Sequence, residues 1–231
     1  MRRILRLAPL VLLLASAARA EEADAPGSAT PTWYAQTLTR GAAGLNVTHF
    51  WSKGAMLRAE TVVAGHKIVT IVRGGRYYAY DALTGEGLSI AREPAVVAAD
   101  RPDRRPFGRE YEILLGQGAE LVREEELLGR ATGVYRITDD WGRRELWVTQ
   151  DELRIPLRLE VFDRGSAERR YVDYLNWQSD LFIPDHFFTP DANARLTEMD
   201  YGEYLRRTTE EGSVGPVPVF YLNLLYVKQG E

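Results

Sequence analysis

His49, His66 and His186 are the only imidazoles in a chain of 231 residues that contains no cysteine. Thiol nucleophiles, thiolate metal sites and disulfides are thereby excluded, and the histidines lack zinc-type spacing. His66 follows Gly65 in a tight turn and His49 falls mid-strand beside Trp51, positions that read as structural. A hydroxyl nucleophile needs a base and a sharp strand-to-helix turn, yet Ser52, Ser89, Ser166 and Ser179 sit in no nucleophile-elbow pattern. Asp180, Asp185 and Asp191 flank the stretch from Phe182 to Pro190, but their spacing fits no calcium loop and they read as solvated turn acids. Glu124, Glu125 and Glu126 are adjacent rather than convergent. Phosphate loops and dinucleotide glycine patterns are missing. The expectation is a non-enzyme with no catalytic residue, no metal and no cofactor.

What the chain does carry is rigid apolar surface: 12 Tyr, 7 Phe and 5 Trp. The residues chosen as a hydrophobic ligand pocket are Trp51, Met56, Ile68, Tyr78, Tyr80, Trp147, Leu157, Leu159 and Trp177. Ordinary core is the plainer role for any one of them. Together, on a curved sheet that two or three short helices cannot fill, they would line a cavity of about a few hundred cubic ångströms. Burying a chain of 14 to 16 carbons at about 0.8 kcal/mol per methylene makes roughly 11 to 13 kcal/mol of transfer free energy available before binding costs. Such a ligand needs no catalytic group.

The elements that must position these residues are mostly strands. Thr30-Pro31-Thr32 offers an N-cap with proline at the first helical position, and Tyr34 and Leu38 lie four apart, predicting one short helix before Gly41. From Leu45 the period changes to two, with glycine turns about every ten residues. Asn46 to Lys53, Met56 to Val63, Lys67 to Arg73 and Arg76 to Asp81 read as consecutive strands, and Arg73-Gly74-Gly75-Arg76 as a two-residue hairpin. Ala91 to Gly116, rich in proline and charge, is predicted to be a crossover with helical turns around Pro94 to Ala99 and Gly108 to Leu115. Strands then resume over Glu120 to Leu127, Thr132 to Thr138, Arg144 to Thr149, Leu153 to Phe162 and Arg169 to Trp177. Thr197-Glu198-Met199-Asp200 reads as a capping box opening a helix that Gly212 stops, and Val217 to Val227 as a strand apolar on both faces. The fold class expected is mainly β (α+β): a strongly curved antiparallel sheet or half-open barrel of about nine to ten strands, with short helices in or over the concave face.

Residues 1–20 combine Arg2, Arg3 and Arg6, an apolar run from Leu7 to Ala15, and Ala18-Arg19-Ala20, the pattern of a cleavable secretory signal. The run is too short to span a bilayer. The whole chain has 29 basic and 33 acidic residues, a net charge of −4, and removing the four arginines of the signal leaves 25 against 33, or −8. An acidic chain argues against nucleic acid and anionic lipid surfaces. The organisation expected is a signal peptide (1–20), a flexible lead (21–29), a half-barrel domain (30–191) and a C-terminal helix and strand packed on it (192–231). The protein would be soluble in the periplasm, without a lipid anchor.

Several segments, in order, resemble the periplasmic lipoprotein-carrier superfamily of the LolA and RseB type. Phe50 to Glu60 (FWSKGAMLRAE) looks like its first hairpin, Gly74 to Asp81 (GGRYYAYD) like its aromatic strand pair, Leu146-Trp147-Val148 with Leu153 to Glu160 like a later hairpin, and Phe187 to Asp191 (FFTPD) like its closing segment. Where carrier members have an Arg-Pro pair this chain has Gly54-Ala55, so that latch does not carry over. The resemblance implies a half-open barrel whose apolar hollow takes a lipid, an acyl chain or a lipoprotein, with a membrane-protein partner possible. The rival expectation is an envelope sensor or scaffold engaging a partner protein through the same fold, and an unrecognised hydrolase stands behind both.

Overall fold

The structure, a computed structural model, describes residues 30–42, 44–212, 214–216 and 221–226. The expected signal and lead, and part of the expected final strand (217–220 and 227), lie outside the described residues.

Among the described residues, twelve strands form one open sheet. In chain order they are β1 (Thr32–Gly41), β2 (Gly44–Lys53), β3 (Met56–Val63), β4 (His66–Arg73), β5 (Arg76–Asp81), β6 (Glu86–Ala91), β7 (Glu120–Leu127), β8 (Arg130–Asp139), β9 (Gly142–Thr149), β10 (Pro156–Asp163), β11 (Arg169–Ser179) and β12 (Arg195–Asp200). Their spatial order is β12-β6-β5-β4-β3-β2-β1-β11-β10-β9-β8-β7. β12 runs parallel to β6 and the other neighbours pair antiparallel. The three described helices are α1 (Pro94–Ala98), α2 (Glu110–Gly116) and α3 (Tyr201–Glu211). This is the curved mainly β sheet with short helices on its concave face that the strand pattern led us to expect.

The hairpin at Arg73-Gly74-Gly75-Arg76 forms as read, with Arg73 opposite Arg76 and Gly74 at φ +54°, a region glycine enters without strain. The crossover helices also lie where proline and charge placed them. Three readings need correction. Residues 32–41 are not a helix but β1, which joins β2 to β11 in the middle of the sheet. Tyr34 and Leu38 share a face in either structure, since an even spacing also satisfies a strand, and the Thr, Trp and Tyr content of TWYAQTLT suits a strand better. The helix near the C-terminus starts later than Thr197: residues 195–200 pair with β6, and Asp200 caps α3 by accepting from the Glu203 amide at 2.7 Å. β6 and β12 were not foreseen, and with β1 they bring the nine expected strands that form to twelve.

The third correction concerns the two-sided apolar segment. Its described part is a 3-10 turn, Leu222–Leu224, lying against α1 rather than a strand. β6 already has β5 and β12 as neighbours, so no edge is left for it there. Leu224 and Leu225 are instead buried in the concave core, and the Leu225 carbonyl accepts from the Glu93 amide at 3.0 Å.

Alternation divides the side chains between two faces. The concave core holds Ala35, Phe50, Leu57, Val72, Tyr77 and Ile90, covered by Phe107, Tyr204 and Leu225, and it continues under α2 as Leu146 and Val148 against Leu114. On the convex face, Val69, Ile71 and Tyr80 lie beneath Ile183 and Phe188 of the segment that follows β11. Farther along that face, Glu145 meets Arg123, Arg136 and Arg143, Glu160 meets Arg143 and Arg169, and Asp173 meets Arg40 and Arg158.

Candidate functional site

The site grows from the crossover between α1 and α2. Phe107 reaches into the concave face and stacks on Phe50 (ring centroids 5.2 Å apart) and on Trp177 (5.6 Å). Trp177 in turn stacks on Tyr174 at 5.7 Å and meets Trp33 edge-on at 6.3 Å, and its indole N–H donates to the Pro156 carbonyl at 3.0 Å. The Arg105 guanidinium lies 5.3 Å from the Trp33 ring centre and 5.0 Å from that of Trp177, within cation–π range. Gly108 permits this packing: it sits at φ +65°, and a Cβ there would come within 2.5 Å of the Trp177 ring. The crossover therefore acts as an aromatic plug in the hollow of the sheet.

Polar groups sit beneath the plug. The Tyr174 hydroxyl donates to Glu110, whose other carboxylate oxygen is buried without a hydrogen-bond partner. Burial pushes the Glu110 carboxyl up, outweighing the hydrogen bond from Tyr174. Burial also raises the Tyr174 phenol well above its ordinary value, and the neighbouring Glu110 charge adds to this. Arg105 is pulled below its ordinary value by burial, against the opposing charges of Glu110 and Glu112. It remains a cation, since arginine does not deprotonate in proteins.

Where the plug meets the C-terminal turn, a cavity of about 560 Å³ remains, walled by Ala55, Val96, Ala99, Pro106, Leu222, Leu224 and Tyr226, with Asp100, Asn223, Arg101, Arg104, Arg105 and Arg109 also lining it. Small-molecule sites usually measure about 300 to 1,000 Å³. At its inner end Arg92, whose side chain is fully buried, donates to the carbonyls of Leu224 (2.6 Å) and Gly74 (2.5 Å) and to both oxygens of Asp100 (2.7 and 2.9 Å). A second hollow of about 440 Å³ lies at the ends of β2 and β3, lined by Leu45, Val47, His49, Glu60, Val62 and Lys67 among others. Among the described residues no group of three or more His, Cys, Asp or Glu side chains converges to hold a metal ion.

The nine residues chosen from sequence fall on both faces. Trp177 belongs to the plug stack, Leu159 packs beside Leu146 under α2, Leu157 is buried at the irregular start of β10, and Ile68 alternates with Val72 toward the concave side. Trp51, Met56, Tyr78 and Tyr80 meet on the convex face under the segment after β11. Trp147 lies between the guanidinium groups of Arg123 and Arg158 and donates to Glu125. None of the nine lines the 560 Å³ cavity. Apart from Ala55 in the β2–β3 turn, its lining comes from two stretches read otherwise: a charged crossover and a final strand. The legible signal was Phe107, a lone aromatic in the Pro-Gly-rich charged run Arg104-Arg105-Pro106-Phe107-Gly108, where a solvated linker has no use for one.

No family model matches the sequence, and no curated protein does. Among solved structures, an uncharacterized conserved protein from Thermus thermophilus superposes with a TM-score of 0.53 at 12% identity, over 74% of this chain and 92% of that one. MucB of Pseudomonas aeruginosa, in complex with MucA, gives 0.45 at 12% identity over 74% of this chain and 59% of that chain. A putative outer membrane lipoprotein-sorting protein domain from Vibrio parahaemolyticus gives 0.35 at 11% identity over 71% and 92%. The Thermus likeness is one of fold alone. It covers three quarters of this chain and nearly all of the Thermus protein, so the two share the open, strand-rich architecture described above.

Proposed function

We propose that the protein is an exported, periplasmic carrier or chaperone that takes an acyl chain, a lipid or a lipidated polypeptide into the concave side of its sheet, and that it is not an enzyme. The observation that carries this reading is the 560 Å³ cavity with apolar walls at the seam between two non-covalently packed segments, the crossover and the C-terminal turn. Those segments bury aromatic surface that a hydrocarbon chain can replace: Phe107 leaving Phe50 and Trp177 gives up apolar contacts that a methylene chain restores in kind. The cavity then deepens toward Phe50 and Trp177, the second of them among the residues chosen from sequence. Residues 30–191 and 192–231 act as one unit in this reading, because the C-terminal turn supplies a wall of the site. Export rests on the signal-like residues 1–20, and no helix among the described residues is long and apolar enough to cross a membrane.

Native mass spectrometry of gently extracted protein tests the proposal, together with titration by a fluorescent fatty acid. A bound amphiphile and saturable, displaceable binding are expected. Protein that carries no amphiphile and binds no fatty acid would sink it.

A further inference from the structure

We propose that Arg101, Arg104 and Arg105 form an anion subsite at the seam cavity, which selects amphiphiles whose headgroup is a phosphate or a carboxylate. This rests on the carrier reading and adds the headgroup to it.

The charges around the cavity can be followed one by one. Asp100 lines it but is held through both oxygens by the buried Arg92. Glu112 lies outside the lining and is engaged by Arg109 at 2.8 Å, with Arg104 farther off at 3.7 Å. Glu110 accepts from Tyr174 beneath the plug. Arg101 makes no ion pair among the described residues, and its neighbour Asp103 is exposed and does not line the cavity. Arg105 spends one nitrogen on the Gly108 carbonyl at 3.0 Å, while its Nε is buried without a hydrogen-bond partner. A buried N–H left unmade carries a desolvation cost, so a ligand oxygen supplied there removes a cost as well as adding a bond. Arg104 and Arg101 flank it with donors that have little or no competing carboxylate.

The arrangement runs against the rest of the molecule, which is acidic overall, with 33 carboxylates to 29 basic side chains. Long-range attraction therefore does not draw anions to the chain, and any preference must come from local geometry. Guanidinium groups match phosphate and carboxylate oxygens through paired, planar donors. Apolar walls with cations on one side fit a molecule that is hydrocarbon at one end and anionic at the other. A free inorganic anion would leave the apolar walls unused.

The test uses the full exported chain without its signal and three probes: dodecyl phosphate, 1-dodecanol and inorganic phosphate. Binding is read by displacement of a fluorescent fatty acid and by calorimetry. Dodecyl phosphate is expected to bind at least tenfold more tightly than dodecanol. The double variant Arg101→Ser/Arg104→Ser is expected to erase that difference while leaving dodecanol affinity unchanged; both side chains are exposed, so the variant keeps its fold. Equal binding of the two C12 probes by the wild type, or a preference that survives in the double variant, overturns the subsite and leaves the carrier reading standing. Inorganic phosphate binding as tightly as dodecyl phosphate overturns it too, since the hydrocarbon would then play no part. If neither C12 probe binds, the carrier reading fails and the subsite with it.

Discussion

The convex face of the sheet is finished in two different ways. Over β4 and β5, outward Val69, Ile71 and Tyr80 are roofed by Ile183 and Phe188. Over β9 to β11 the outward carboxylates Glu145, Glu160 and Asp173 are each engaged by arginines that are about a quarter to a half exposed, and outward Trp147 is covered by the guanidinium groups of Arg123 and Arg158 rather than by a chain segment. Both regions have the same alternation and the same backbone pairing. The difference teaches that the outward residue type reports whether chain passes above it. Where a segment excludes water, apolar residues gain by burial; where none does, carboxylates laced with arginine keep the face soluble and resist further pairing.

The sharpest way to break this contrast is at the roof. Phe188 is completely buried, and Phe188→Ala is expected to cost about 3 to 5 kcal/mol through lost transfer energy and a residual cavity, read as a lower urea midpoint. A loss below about 1 kcal/mol would mean that the roof is loosely seated. The plug on the opposite face offers the next largest effect. Phe107→Ala should destabilise by about 2 to 4 kcal/mol and at the same time tighten fatty-acid binding, because the ligand no longer has to displace the ring. Weaker binding would count against displacement.

In the ionic region, Glu145→Gln is expected to cost about 1 to 2 kcal/mol: the carboxylate is buried, but its three arginines reach water and regain solvation, which discounts the loss. Burial alone would raise the Glu145 carboxyl, but the hydrogen bonds and charges of Arg136 and Arg123 outweigh it and hold the group below its ordinary value. A depressed folded value means that this stability is present in full above the ordinary glutamate range and is lost as pH falls through the lower, folded one. Unfolding midpoints between about pH 5 and pH 2 should therefore fall more steeply for the wild type than for Glu145→Gln. Parallel slopes would show that Glu145 contributes nothing to acid sensitivity. The smallest effect belongs to α3, where Arg206 bridges Glu203 and Glu210 on an exposed face; Glu210→Ala should change stability by less than about 0.5 kcal/mol.

Much of the sheet was readable because alternation and glycine turns are local signals. The Arg73–Arg76 hairpin and both crossover helices needed nothing beyond their own residues. β1 was misread because Tyr34 and Leu38 fit either period, and what decides between them is two flanking strands, β2 and β11, one of which lies more than a hundred residues away in sequence. β12 was missed for a similar reason: its parallel pairing with β6 overrides a local capping pattern. The candidate site was less legible still. Alternation assigns Trp51 and Phe50 to opposite faces without saying which face is hollow, and Arg101, Arg104 and Arg105 look like any solvated linker until the turn at Leu222 to Leu224 is laid beside them.

Arg92 has a consequence for how the seam can open. It fastens the C-terminal turn, the β4–β5 hairpin and the end of α1 at a single point, with its side chain sealed from solvent. The two walls of the cavity thus share a spine. Separating them at that point means breaking four hydrogen bonds to one cation inside the protein, so the seam is strongest where Arg92 sits.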